Sequence, residues 1–265
     1  MIPYRRWNNL LSYLTIFVLT LLLGCAPLLP SPSARPFSEK ETVQLISRLR
    51  GQGEKIWSFQ GVGRLRFKER RGDSESNLFA VGRRPFKVRL EINHPWGKPI
   101  SHIVVDEKDI SVLSLIDKKF FMGPTNRLNT ERLFLFGIDL DSAWKILSGR
   151  VPILPHYSAS SLKPNQITLY DHQGEVVEII SFSPGALLPR SVYFPTKRIT
   201  IKLSEFKDGD LGPYPLRIKI VKGHKDRLIE IRYKRLRLNK PVPEEVFQLS
   251  PPPGFEIIKL DNQEM

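Results

Sequence analysis

Between Phe86 and Asn93 the chain alternates strictly: Phe86, Val88, Leu90 and Ile92 are separated by Lys87, Arg89, Glu91 and Asn93. Successive side chains of an extended backbone point to opposite faces, so a run of this kind makes a strand with one dry face and one charged face. The same period governs Phe59, Gly61, Gly63, Leu65 and Phe67, set against Gln60, Val62, Arg64, Arg66 and Lys68. Further strands are expected at Asn77–Val81, Ile100–Val105, Ile110–Ile116, Phe120–Met122, Gln166–Tyr170, Val176–Phe182, Ser191–Phe194, Arg198–Phe206, Pro215–Val221 and Asp226–Leu238. Turn residues stand between them, as in Arg71-Gly72-Asp73, Pro95-Trp96-Gly97 and Asp171–Gly174. About eleven or twelve strands in consecutive hairpins imply a largely antiparallel sheet.

Helical signals are few. Ser38 and Glu41 form a capping box, and Thr42, Leu45, Ile46 and Leu49 recur at helical spacing, which predicts an amphipathic helix from Ser38 to about Gly53. Two short helices are expected at Thr125–Phe136 and Asp141–Leu147, the second capped by Asp141, with Gly149 ending the pair. One helical turn is expected at Val242–Phe247. A sheet must bury its apolar face against something, and these helices are too few to cover a flat sheet of this size. The expected fold is therefore mainly β (α+β): a curved antiparallel half-barrel of about eleven strands, covered by a few helices. Its dry face would hold Leu65, Phe67, Leu78, Phe86, Val88, Leu90, Ile92, Ile201, Leu203, Ile218, Ile220, Ile229 and Ile231. This face either fills an ordinary core or leaves part of itself open as an apolar cavity.

Composition narrows the function. With 41% hydrophobic and 26% charged residues the chain is neither disordered nor a multi-span membrane protein. A single Cys excludes a disulfide framework, a zinc cluster and an iron–sulfur site. The sequence contains no G-x-S-x-G, H-E-x-x-H, P-loop or G-x-G-x-x-G motif. His94, His102, His156, His172 and His224 are scattered, and Asp106, Glu107 and Asp109 read as turn chemistry. No enzyme, no metal and no cofactor are expected. The net charge of +14 reflects 41 basic against 27 acidic residues. Arg64, Arg66, Lys68, Arg232, Lys234, Arg235 and Arg237 interleave with apolar residues. They make either a solvated sheet face or a contact for anionic lipid phosphate or an acidic partner.

The N-terminus carries Arg5 and Arg6, then the apolar run Leu10–Leu23. As a helix this run would be about 21 Å long, short of the ~30 Å bilayer core, so it reads as a secretory signal. Its end, Leu22-Leu23-Gly24-Cys25, resembles a bacterial lipoprotein signal. The resemblance implies removal of residues 1–24 and a lipid on Cys25, comprising an N-acyl chain and an S-linked diacylglycerol. Ala26, where Asp would retain a lipoprotein in the inner membrane, implies the outer membrane facing the periplasm. An exported chain does not meet nucleic acid. Residues 25–36 form the lipidated Cys and a Pro/Ser-rich tether, and residues 37–265 the folded domain.

The order of elements, with Gly61-x-Gly63-x-Leu65, Arg84-Pro85 and Arg89, Pro95-Trp96-Gly97, Phe121-x-Gly123-Pro124 and Phe247-x-Leu249 before Pro253-Gly254, resembles the LolA/LolB-like fold, and LolB-like outer-membrane lipoproteins in particular. The resemblance implies a monomeric receptor that takes acylated lipoproteins from a LolA-like periplasmic carrier. The acyl chains would occupy the cavity under the helical lid and pass on to outer-membrane lipids. It places Trp96 in the loop that contacts the membrane, with His94 where the family has Asn. A lipid or lipoprotein sensor, or an envelope-assembly lipoprotein of the same fold, is the alternative.

Overall fold

In the computed structural model, residues 35–69, 72–126, 137–185, 187–223 and 227–260 are described. The signal segment, Cys25 and most of the tether lie outside them, as does the expected helix from residue 127 to 136.

Among the described residues, fourteen strands form one sheet: β1 (Ser58–Glu69), β2 (Gly72–Arg83), β3 (Lys87–Asn93), β4 (Pro99–Asp106), β5 (Asp109–Ser114), β6 (Lys119–Pro124), β7 (Ser158–Ser160), β8 (Gln166–Tyr170), β9 (Val176–Phe182), β10 (Pro189–Phe194), β11 (Ile199–Lys207), β12 (Tyr214–Lys222), β13 (Arg227–Leu238) and β14 (Glu256–Lys259). Their order is β14-β6-β5-β4-β3-β2-β1-β13-β12-β11-β10-β9-β8-β7. The sheet is open and curved, and it has fourteen strands where about eleven were expected. The two short edge strands, β7 and β14, account for much of the difference. β14 is also the exception to antiparallel pairing, lying parallel to β6. The long central strands hold the sheet together: β1 pairs from Phe59↔Leu238 to Lys68↔Leu228, with a bulge between Val62 and Gly63.

Two α-helices are present among the described residues. α1 (Glu39–Glu54) begins at Ser38, where the capping box is complete: Glu41 N–H donates to Ser38 Oγ, and Ser38 N–H donates to the Glu41 carboxylate. Arg35 pairs with the same carboxylate, and these hydrogen bonds hold its pKa down at about 2. α2 (Leu140–Leu147) is capped by Asp139, whose carboxylate accepts from Ser142 N–H at 2.9 Å. The expected cap, Asp141, instead lies in the first turn and pairs with Lys145 one turn on. Gly149 follows with φ +72°, a conformation that costs a glycine little.

Both helices bury their apolar sides in the main core. Leu45, Ile46 and Leu49 of α1 and Trp144, Ile146 and Leu147 of α2 join the inward residues of the sheet. Trp144 is fully buried, edge-on to Phe59 at 5.0 Å and tilted against Phe86 at 6.1 Å. The opposite face of β2 and β4 is not simply solvated. Val81 and Val104 are covered by Val242 and Phe247 from a C-terminal strap that includes a 3-10 turn at Glu244–Phe247. Arg89 holds the strap through the carbonyls of Val246 and Gln248, both at 3.1 Å, and Arg83 and Lys87 pair with Glu244.

Candidate functional site

The inner face of the sheet is packed at one end and open at the other. A cavity of about 390 Å³ lies between the strands and α2. Leu65 and Phe67 come from β1, Leu78 from β2, Leu90 and Ile92 from β3, Ile220 from β12, and Ile229 and Ile231 from β13. The pleat places them together: Leu65 pairs with Ile231, Phe67 with Ile229, and Leu78 with Ile92. Leu78, Ile220, Ile229 and Ile231 are buried, whereas Leu65, Phe67, Leu90 and Ile92 are only half-buried. Partial exposure of inward apolar residues marks a face that no side chain fills.

All thirteen residues expected on the dry face join the main core, and five of them lie outside the cavity. Phe86 packs against Trp144 of α2, and Phe86 and Val88 both belong to the filled core. Ile201 and Ile218 are fully buried in that core. Leu203 borders a separate small pocket beside α1. Period-two alternation tells which face a residue is on, but not how far along the strand a covering helix reaches. The same limit hid Ile100, Ile103, Ile138, Ala143, Ile146 and Leu147, which complete the wall. A usable signal existed for Ile103, which stands opposite Leu90 across β3 and β4.

The few polar groups on the lining, Ser74, Glu75, Ser76 and His94, come from the end of the sheet where β2 begins and β3 finishes. Glu75 is neutralised by Arg64 at 2.8 Å. Next to it Arg66 grips Asp73 through both carboxylate oxygens, which holds the Asp73 carboxyl below its usual range.

Trp96 stands at this end, at the tip of the β3–β4 hairpin, and is 77% exposed. It does not pack beneath its hairpin. Its ring stacks on His94 at 4.7 Å and 5° between planes. The loop is held in place: Gly97 N–H donates to the His94 carbonyl, and Asn77 Nδ2 donates to the carbonyls of His94 and Pro95. Gly97 takes φ +95°, which favours glycine at that corner. The neighbouring β5–β6 turn ends on the same side, since Ser101 pairs with Ser114 and Leu115 N–H donates to the Ile100 carbonyl. That turn presents Ile116, 61% exposed, followed by Lys118. Two adjacent hairpin tips thus carry large apolar side chains beside the cavity, with Lys98 and Lys118 close to them in sequence.

Among the described residues no group of three or more His, Cys, Asp or Glu is placed to hold a metal ion, and no helix is long and apolar enough to cross a membrane.

No protein-family model and no curated protein matches the sequence. Solved structures share its fold. A Vibrio parahaemolyticus domain assigned to outer membrane lipoprotein sorting is 10% identical, with TM-score 0.52 over 79% of this chain and 97% of its own. A DUF1329 family protein from Desulfovibrio piger is 9% identical, with TM-score 0.53 over 79% of this chain and 96% of its own. A LolA superfamily protein from Nitrosomonas europaea is 12% identical, with TM-score 0.51 over 78% of this chain and 97% of its own. At these identities the likeness is one of fold: the chain has the LolA-like architecture of a curved open sheet with helices on its inner face.

Proposed function

We propose that this protein is a non-enzymatic, LolB-like lipoprotein receptor that accepts acyl chains in the cavity under α2. In this reading Cys25 is lipidated after residues 1–24 are removed, and the tether holds the domain on the periplasmic face of the outer membrane. A LolA-like carrier delivers an acylated lipoprotein, whose lipid enters the cavity and then passes into the outer-membrane lipids past Trp96.

The observation that carries this reading is an apolar cavity that opens beside an exposed tryptophan. Its volume, about 390 Å³, falls within the ~300–1,000 Å³ range of sites that enclose small ligands. An acyl chain entering it gains about 0.8 kcal/mol for each CH₂ buried. A bilayer offers the same CH₂ groups a similar environment, so release needs no chemical step. Trp96 is suited to the exit, because an indole favours the boundary between headgroups and hydrocarbon.

Handover tests the proposal. Full-length protein is mixed with a carrier loaded with an acylated lipoprotein, and the cargo is followed first to the receptor and then to vesicles. The expected result is transfer from the carrier, with Trp96→Glu slowing only the vesicle step. Cargo that stays on the carrier overturns the proposal.

A further inference from the structure

The cavity beside Leu90 is limited in volume, pinned on its helix side and polar at one end. Its volume is about 390 Å³. An apolar cavity of about 150 Å³ encloses one benzene, so a ligand packed in this way takes about 25 Å³ for each carbon. The space therefore matches about 15 or 16 carbons, which is one acyl chain. Three such chains would need roughly 1,200 Å³ at the same density.

The helix side is held against widening. Ala143, Ile146 and Leu147 of α2 line the cavity. In the same helix Trp144 is fully buried against Phe59 at 5.0 Å and Phe86 at 6.1 Å, and Arg84 lies over its ring at 5.0 Å. The Leu147 carbonyl accepts from the buried Tyr233 hydroxyl at 2.9 Å. Lifting α2 to admit a second chain would uncover Trp144 and strip Tyr233 of its partner, and both changes cost stability.

The sheet side grades from polar to apolar. Ser76 stands opposite Leu65, and Ser74 opposite Phe67, across β1 and β2. His94 follows β3 at the same end and also lines the cavity. Glu75, the acid of this rim, is paired with Arg64 at 2.8 Å. The rim therefore offers hydrogen bonds rather than a free negative charge, which suits an ester or an amide. Further in, β2 contributes Leu78, and Leu90 of β3 lies deeper still, opposite Ala80. From the level of Ser76 to that of Ala80 and Leu90 is about 13 Å at the usual strand rise. That is close to the ~15 Å that a chain spans in one leaflet of a bilayer.

We propose, resting on the acyl-binding reading above, that the cavity takes one ester- or amide-linked acyl chain of about 14 to 16 carbons at a time, tail inward. The other chains of a multi-chain lipid stay outside. Trp96 and Ile116, 77% and 61% exposed on the two hairpin tips, give them apolar surface there.

Native mass spectrometry of the full-length protein released from detergent tests the limit, with a peptide carrying one palmitoyl chain titrated to saturation. Wild type is expected to carry one adduct, and folded Ile92→Trp, which fills the half-buried wall beside Leu78, none. Two or more adducts on the wild type, all lost in Ile92→Trp, overturn the one-chain limit and leave acyl binding standing. No adduct on the wild type, or an equal number on both proteins, overturns acyl binding in this cavity and the limit with it. A second measurement needs no variant: the same peptide carries a diazirine either at the end of its chain or beside its carbonyl. The terminal label is expected on peptides holding Leu90 or Ile146, and the carbonyl label on peptides holding Ser76 or His94. The reverse pattern, or the same pattern from both probes, overturns the tail-inward direction.

Discussion

Glu178 is a carboxyl placed where a carboxylate is poorly solvated, and its replacement by Gln should make that visible as a pH-dependent gain in stability. The residue lies in β9 opposite Leu169 and is fully buried. One oxygen accepts from Leu154 N–H at 2.8 Å, and the other has no partner. Desolvation pushes its pKa from 4.5 to about 8, outweighing the Leu154 hydrogen bond and the more distant Lys145 ammonium, both of which pull it down. The folded state therefore keeps its proton in a range where the unfolded chain has already released it. Stability from this group is complete below pH 4.5 and is lost as pH rises toward about 8, because the folded state binds the extra proton. At about 1.4 kcal/mol per pH unit, the loss across that window is on the order of 4 to 5 kcal/mol. Glu178→Gln keeps an acceptor for Leu154 N–H and cannot ionise. Guanidinium unfolding of both proteins at pH 5, 6, 7 and 8 should show nearly equal stability at pH 5 and a variant advantage that grows to pH 8. A difference that stays constant with pH, or one that favours the wild type increasingly toward pH 8, would refute the reasoning.

Other consequences follow from the same geometry. Gly63→Ala places a Cβ 2.2 Å from the Arg232 carbonyl oxygen and 2.8 Å from Tyr233 Cα, so the β1–β13 pairing must shift. Overpacking of this kind costs about 1–3 kcal/mol, seen as a fall in Tm of several degrees. Gly51→Ala, in α1 with open space around the new methyl group, should instead raise Tm slightly, by the ~1 kcal/mol that separates the two residues in a helix. Trp96→Ser and Ile116→Ser should each weaken binding to anionic vesicles by roughly ten-fold, since a large apolar side chain withdrawn from water contributes ~1.5–3 kcal/mol. Co-sedimentation of the two variants with vesicles measures this, and unchanged binding in both would remove the membrane role from that edge.

Much of the architecture was legible because its signals are local. The alternation from Phe86 to Ile92 and from Phe59 to Phe67 is written by the pleat, and the Ser38/Glu41 capping box by the unpaired N–H groups of a first turn. The edge strands escaped because three residues at Ser158–Ser160 and four at Glu256–Lys259 are too short to show a period. Asp141 was expected as a cap where Asp139 serves, since both acids precede the same apolar turn and only backbone geometry separates them. Alternation put Lys87 and Arg89 on a charged face and carried no sign of a covering segment, yet these cations bind the C-terminal strap, a contact between segments about 157 residues apart. The candidate cavity was partly legible for the same reason. Alternation assigns Leu90 and Phe86 to one face, and the path of α2 decides that Phe86 is covered and Leu90 is left open.

The central claim is that the space beside Leu90 receives an acyl chain. Native mass spectrometry of the full-length protein released from detergent, after incubation with a synthetic triacylated lipopeptide, tests it directly when wild type is compared with Leu90→Trp. The indole occupies the cavity without adding charge, and Leu90 is only half-buried, so the variant has room to fold. The account predicts a one-to-one lipopeptide adduct on the wild type and its loss from a folded Leu90→Trp protein. No adduct on the wild type, or an equal adduct on both, would contradict it.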